Sequence, residues 1–455
     1  MIRMDSDFEV TPELVQKLLE KHSTEREKRL LKYYKGEHDI VNRKFDDETK
    51  PNNKVVTNEC KRITNVSVGY FIGKPVSYST TKDNKGYMER LQEVFDLNNE
   101  QKVNADLAKS ASVYGYGVEV LYTSQSITGE LEIRFAFLDL EEQDVLLVYD
   151  RSVEKNLIMA IRHYSYKDVL TDQTNKEAYV YTADSIYHFK EGENGMNLVD
   201  EEPHYFREVP INVYYNRDNI SDFEDIVTLN DAYNILQSDD INESEYTNDA
   251  FLLIKGMIAE DEDIQKMKEK RVIQLDDASE GAGVEWLIKN LNDTWKENLK
   301  TRLKNDIYTI SATPNLSDSS FGGTQTGEAM KYKLKAFEDN RASKEREFKP
   351  ALQRRIRLIT NILNYLRNNF DWRNIVPNFT ANLPKADLTI ADIINLVGSN
   401  ILSKDSSRAA IGIIEDPAHE AEKVQQENED YIDLNKPKEV NIDDEQDEEA
   451  LQGDK

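Results

Sequence analysis

The chain has a single cysteine, Cys60, among its 455 residues. One cysteine excludes a framework of intramolecular disulfides and favours a reducing compartment. No apolar run approaches the roughly 20 residues that a membrane-spanning helix needs, and the first residues contain no apolar segment of the secretory-signal type. We therefore expect a soluble protein that is assembled in a cytoplasm and has no membrane partner.

Cationic residues are also scarce, because 58 Lys and Arg stand against 86 Asp and Glu, for a formal net charge of −28. This balance argues against general adhesion to nucleic acid or anionic membranes, since neutralising phosphates needs clustered cations. The imbalance is sharpest from Ser221 to Ala250, where nine acidic residues occur with no Lys or Arg. The nine acids of this acid-only segment are Asp222, Glu224, Asp225, Asp231, Asp239, Asp240, Glu243, Glu245 and Asp249.

The acid-only segment nevertheless has the apolar spacing of a helix, with Ile226, Leu229, Tyr233 and Leu236 three or four residues apart. Isolated helices are supported by opposite charges four residues apart and opposed by like charges at the same spacing. Local helix stability therefore does not account for this composition.

Motifs that carry catalysis are lacking as well. The stretch nearest to a nucleotide-binding P-loop, Gly69–Pro75, is one residue short and has proline where the hydroxyl belongs. The six histidines lack metal-ligand spacing, and no nucleophile elbow is present. The glycine-rich run 322–327 precedes a predicted helix, a setting that can hold an anion, but a flexible loop is the simpler interpretation. We predict no enzymatic activity, no cofactor and no metal.

Hydrophobic periodicity predicts an α+β fold, and the length predicts two or three domains. One helix is expected from Thr11 to Tyr34 with Gly36 as its C-cap, and another from Val55 to Phe71. Short β-branched and aromatic runs between Val113 and His188 predict one antiparallel sheet. Further predictions are two helices within 88–112 that split near Asn98, a strand at 251–256, a helix at 292–310 and a helix at 328–369 with a kink at Pro350.

Two groups of cations stand out against the acidic background. Lys296, Lys300 and Lys304 repeat every four residues and form one stripe on the predicted helix 292–310. The second group lies on the long predicted helix and comprises Arg341, Lys344, Arg346, Lys349, Arg354, Arg355 and Arg357. Each group is either a solvated or salt-bridged face or a surface in transient contact with phosphate oxygens, and the sequence leaves both interpretations open.

The order of these elements, together with several local strings, resembles the portal proteins of tailed bacteriophages, specifically the long-tailed type that infects Gram-positive hosts. The match covers about residues 10–415. The strings that carry it are Tyr33–Ile40, Asn52–Asn58, Gly69–Val76, Tyr114–Val120, Pro210–Val213 and Phe321–Lys333.

The resemblance implies a portal-type subunit with an α/β wing, a two-helix stem, a small α/β clip, a long kinked helix and a helical crown. The implied parts are the wing 1–220, a stem helix 221–250, the clip 251–291, a second stem helix 292–312, the tunnel loop 313–327, the long helix and wing return 328–384 and the crown 385–425. The acidic remainder, 426–455, is expected to be a disordered tail.

The resemblance also implies a function. Portal proteins form a ring of twelve subunits at one capsid vertex, and double-stranded DNA is packaged and ejected through its channel. Implied partners are the terminase large subunit, which holds the motor's ATP site, the head-completion adaptor, and the scaffolding and major capsid proteins. The alternative is a head–tail connector or minor capsid protein without a channel; a nucleic-acid enzyme has no residue in its favour.

Candidate site residues follow from the resemblance. An acidic wall repels DNA and keeps it centred, while rings of lysine add weak contacts to phosphates. The DNA-channel candidates are Lys296, Lys300, Lys304, Asp231, Glu243 and Glu245. The tunnel-loop candidates are Ser317, Ser319, Phe321, Gly322, Gly323 and Thr324. The clip candidates, which would face the terminase and the adaptor, are Lys255, Lys266, Lys268, Lys270 and Arg271.

Overall fold

The structure is a computed structural model. It describes residues 2–47, 50–82, 85–193, 195–248, 251–255, 283–287, 293–315, 332–380, 390–399, 403–404, 406–407, 420–421 and 423–427. The chain divides into two compact units, residues 1–382 and 383–455. Except for residues 426 and 427, which are helical, the predicted acidic tail lies outside the described residues.

Helices and mainly antiparallel sheets alternate along the first unit, which confirms the predicted α+β class. The helices are α1 (Pro12–Lys21), α2 (Glu25–Lys35), α3 (Glu59–Ile72), α4 (Lys85–Leu97), α5 (Glu100–Tyr114), α6 (Val227–Asn248), α7 (Asp293–Ile310), α8 (Lys335–Tyr365) and, in the second unit, α9 (Ile390–Gly398). The strands are β1 (Ile2–Arg3), β2 (Ser77–Thr80), β3 (Tyr116–Gln125), β4 (Leu131–Leu138), β5 (Asp144–Tyr149), β6 (Leu157–Lys167), β7 (Thr174–Tyr181), β8 (Ser185–Gly192), β9 (Gly195–Pro203), β10 (Ile211–Tyr215), β11 (Phe251–Lys255), β12 (Gly283–Leu287) and β13 (Ile375–Asn378). None of the helices in the described ranges is long and apolar enough to cross a membrane.

The prediction of one helix from Thr11 to Tyr34 is wrong, because the chain breaks between α1 and α2. Thr11 caps α1 by accepting a hydrogen bond from the Leu14 amide at 3.2 Å, as its position before Pro12 predicts. His22 then adopts an extended conformation and ends the helix. Gly36, at φ +90°, caps α2 as predicted.

The prediction of a single sheet from 113 to 188 is also wrong, since the strands form two sheets. Strands β5 to β9 follow one another as antiparallel neighbours, and β1 adds a parallel edge next to β5. Strands β3 and β4 instead pair with β10, which returns to them after β9. Alternating apolar residues alone do not specify which strand a run pairs with.

Each face of the six-stranded sheet is covered. Val118 of β3 and Ile211 of β10 pack with Val145 and Ala160 between the two sheets. On the other face, Val15 and Leu18 of α1 pack against the sheet. A third core surrounds α8, which passes unbroken through Pro350. The helix therefore continues through Pro350, as predicted.

The segment Tyr114–Gly117 joins α5 to β3, and at both of its glycine positions the neighbouring backbone leaves no room for a side chain. Gly115 has φ +90°, and a Cβ there would overlap the carbonyl oxygen of Asn219. A Cβ on Gly117 would lie 2.6 Å from the carbonyl oxygen of Leu107. The two glycines therefore let α5, β3 and the chain before α6 approach closely at the root of the acid-only segment.

Candidate functional site

The acid-only segment forms α6, and α6 pairs with α7. The chain leaves α6, forms the antiparallel pair β11–β12 and returns as α7. The ion pairs between the helices run in opposite directions along the two sequences, so α6 and α7 form an antiparallel helical hairpin. At its base, Ile307 and Tyr308 of α7 share a buried core with Phe223 and Ile226 before α6.

Two lysines of the α7 stripe, Lys296 and Lys300, contact acids of α6. Lys296 Nζ lies 3.1 Å from Asp240 and also contacts Glu243. Lys300 Nζ contacts Asp240 and lies 2.8 Å from Glu297. Lys304 lies over the ring of Tyr308, 6.0 Å from its centroid. The structure therefore brings the candidates Lys296, Lys300 and Glu243 together with Asp240 in a group of ion pairs between the two helices, which we call the clasp.

The pKa values in this clasp fit charged partners. The hydrogen bond with Glu243 raises the pKa of Lys296. Burial opposes the charge of Lys300, but hydrogen bonds to Asp240 and Glu297 raise its pKa overall. Burial likewise opposes the charge of Asp240, and the two lysines hold its pKa below the usual value. The directions of these three pKa shifts favour the charged forms of Lys296, Lys300 and Asp240.

Other acids of the segment meet cations or donors from distant elements. Glu224 accepts a hydrogen bond at 2.8 Å from Arg26 Nε, 198 residues away along the chain. Arg43 Nη1 lies 2.7 Å from Asp239. The Tyr33 hydroxyl donates to Asp231 at 2.8 Å. The absence of local cations in α6 is therefore offset by cations of other elements.

Asp222, just before α6, is the most deeply buried of these acids. Lys344 of α8 lies 2.5 and 2.7 Å from its two carboxylate oxygens, and Ser112 donates to it at 2.5 Å. Burial opposes ionisation of Asp222, but Lys344 and the hydrogen bonds lower its pKa overall. Only Asp225 and Glu245 among the described acids of the segment are exposed with no partner given by the structure.

Part of the basic cluster of the long helix α8 also points inward, although Arg346 is exposed. Arg355 is fully buried, with Nη2 2.7 Å from Glu119 and Nη1 3.1 Å from Glu100. Arg354 donates to the carbonyl oxygens of Ile211 and Val209 at 2.5 and 2.8 Å. Burial therefore excludes Arg355 and Lys344 from contact with phosphate in this fold, and the salt-bridge interpretation holds for them.

Sequence reasoning missed the partners Arg26 and Arg43, which lie on elements far from α6 in sequence and are marked by no local pattern. It identified Lys344 only as a member of the cationic group on the long helix, without its partner Asp222. The predicted tunnel-loop residues Ser317, Ser319, Phe321, Gly322, Gly323 and Thr324 lie outside the described residues. So do the clip candidates Lys266, Lys268, Lys270 and Arg271, whereas Lys255 is described only as the last residue of β11.

The chain is similar in sequence to known phage proteins. The portal protein of Bacillus phage SPP1 is 24% identical over 459 aligned residues, which cover 92% of this chain and 87% of that protein. The portal protein of Clostridium phage phiCD119 is 23% identical over 393 residues, covering 79% of this chain and 83% of that protein. The family described as "Phage portal protein, SPP1 Gp6-like" matches residues 16–433, and the chain belongs to this family.

Proposed function

We propose that the chain assembles into a closed ring in which the α6–α7 hairpins surround a channel for double-stranded DNA. As a phage portal protein it is a structural component of the capsid and belongs to a family without enzymatic activity. The proposed partners are the terminase large subunit, the head-completion adaptor, and the scaffolding and major capsid proteins.

The observation that carries the proposal is the α6–α7 hairpin, two long antiparallel helices clasped by ion pairs with a small strand pair at their far end. In a ring each exposed residue of the hairpin recurs once per subunit, so one charge becomes a closed ring of charge. The proposed parts are the wing 1–220, the stem α6 and α7, the clip 251–291, the tunnel loop 313–327, the long helix and wing return 328–384 and the crown 385–425.

The hairpin changes which residues best test the channel. Reversing Lys296 or Lys300 would place like charges inside the clasp and disrupt the hairpin itself. The exposed acid Glu245 of α6 is free of this difficulty. An added ring of cations there would bind phosphates and slow DNA, because each cation–phosphate contact adds affinity.

The test compares Glu245→Lys with Glu154→Lys, the same charge change in the exposed turn between β5 and β6. Phage carrying each variant would be scored for capsid number and for DNA content per capsid. We expect normal capsid numbers for both variants, but less DNA per capsid for Glu245→Lys alone. Equal DNA content in both would favour a connector without a channel.

A further inference from the structure

The chain that precedes α3, residues 53–58, lies along one face of α6, and we name it the strap. The backbone amides of alternate strap residues, and that of Glu59 at the start of α3, donate hydrogen bonds to side-chain oxygens of α6 that stand four residues apart. The four bonds are Asn53 N to Asn242 at 2.7 Å, Val55 N to Ser238 at 2.9 Å, Thr57 N to Asn234 at 2.9 Å and Glu59 N to Asn230 at 3.2 Å.

The two elements fit because their repeats nearly match. Four residues of an α-helix rise about 6.0 Å, and two residues of extended chain rise about 6.6 Å. Over the two intervals from Asn53 to Thr57 the mismatch grows to only about 1 Å, which side chains absorb. The helix thus satisfies backbone amides that would otherwise need a neighbouring strand.

We call these four hydrogen bonds the ladder. A third element, the segment that contains Tyr33 and His38, holds the middle of the ladder in place. Asn234 accepts from the strap through its oxygen, so its amino group donates to Nδ1 of the buried His38 at 3.0 Å. The other ring nitrogen of His38 then donates to the carbonyl oxygen of Tyr33 at 3.1 Å. The Tyr33 hydroxyl in turn donates a hydrogen bond to Asp231 of α6. The hydrogen bonds therefore connect α6 to His38 and Tyr33 and back to α6.

The ladder permits one rotation of α6 about its axis. Turning the helix by one residue would present Asp231, Ile235, Asp239 and Glu243 to the strap. Those side chains have no amino group to donate to Thr57 O or to His38, as Asn230 and Asn234 do. Asn230, Asn234 and Ser238 are fully buried in the observed setting, so the mismatch would leave buried polar groups unpaired.

We propose that the strap is a positioning device, and that Asn230, Asn234 and Ser238 fix which face of α6 the subunit presents outward. That face carries Thr228, Ile235 and Asp239, all exposed, with Ile235 at 45%. The inference rests on the proposed function, because in a ring this face meets either a neighbouring copy or the channel. The strap lies within the string Asn52–Asn58, whose sequence thereby gains a physical role.

The test measures rotation rather than stability. Nitroxide labels on Ile235→Cys and on Ser165→Cys, an exposed residue of β6, give a distance within one subunit when labelled protein is diluted with unlabelled. Rotating α6 by one residue moves a side chain by about 8 Å at a radius of about 5 Å. The distance is compared in the otherwise unaltered chain, in Asn234→Ala/Ser238→Ala, and in the milder Ser238→Ala.

The control is Asn104→Ala, which removes a buried asparagine from the Arg355 cluster, far from the ladder. We expect the control to lower the melting temperature but keep the distance distribution, whereas the ladder variants shift or broaden it, the double variant most. An unchanged distribution in both folded ladder variants would overturn the proposal. This readout needs no DNA, so it fails or succeeds independently of the channel, which electron microscopy of the ring tests.

Discussion

Lys344 and Asp222 form a buried ion pair with Nζ–O distances of 2.5 and 2.7 Å. It joins the long helix α8 to the first acid of the acid-only segment. Lys344 Nζ also donates a hydrogen bond to the side-chain oxygen of Asn216 at 2.7 Å. The pair therefore anchors the base of the α6–α7 hairpin to the rest of the first unit.

Lys344→Met is expected to destabilise the protein by about 3–5 kcal/mol, because it leaves the Asp222 carboxylate buried without its partner. Chemical denaturation followed by circular dichroism measures the change. Lys335→Met is the matched control, since Lys335 is exposed and its pair with Asp339 contributes at most about 1 kcal/mol. Equal losses in the two variants would contradict the assigned role.

Lys300→Glu is expected to cost about 1–3 kcal/mol, because it sets a third carboxylate beside Asp240 and Glu297. The second change Asp240→Lys should restore part of the loss by rebuilding the pair in reverse. A double-variant cycle in urea denaturation measures this coupling. Arg302→Glu, at a side chain that is 81% exposed, should change stability little; strictly additive effects of Lys300→Glu and Asp240→Lys would argue against the clasp.

Gly115→Ala is expected to cost more than about 3 kcal/mol, since it combines a left-handed backbone with overlap on the Asn219 carbonyl. Gly129→Ala separates the two causes, because Gly129 has φ +81° with open space around it. That control should cost only about 1–2 kcal/mol. Calorimetric melting compares the two variants, and similar losses would mean that close approach at Gly115 is unimportant.

Stability should fall as the pH drops below the usual histidine pKa of 6.5. Burial lowers the pKa of His38, so the folded state prefers the neutral ring, while the unfolded chain takes up a proton first. The stabilisation is therefore complete above 6.5 and is lost as the pH falls through the folded-state pKa. Burial also lowers the pKa of His22, His163 and His204, so these histidines add to the loss of stability at low pH.

His38→Gln isolates the contribution of His38, because an amide can still accept from Asn234 and donate to Tyr33 but does not titrate in this range. Melting temperatures at pH 7.5 and pH 5.5 would be compared with those of the parent chain. The variant should lose less stability on acidification than the parent does. An identical loss would assign the acid sensitivity to the other histidines.

Much of the fold follows from local sequence. The break between α4 and α5 near Asn98, the strand β11 and the helix α7 are predicted to within a few residues, because their breaks and periodicity are local. The start of α3 is not: a helix was expected from Val55, whereas Asn58 caps the helix by accepting from the Lys61 amide at 2.9 Å. The strap before it is extended because α6 supplies its hydrogen-bond partners.

The acid-only segment shows the limit of such reasoning. Its lack of Lys and Arg suggests a surface for repulsion, yet five of its acids are ion-paired with cations from elsewhere in the chain. Those partners, Arg26, Arg43, Lys296, Lys300 and Lys344, lie between about 50 and 200 residues away. Pairings at that separation depend on the tertiary fold, so no periodicity reveals them.

The most direct test of the proposed channel is electron microscopy of the purified, assembled chain at a resolution that separates helices. We expect a closed ring with a central hole, lined by pairs of helices that match α6 and α7. A particle that stays monomeric at high concentration, or a ring whose hairpins lie away from the central hole, would contradict it.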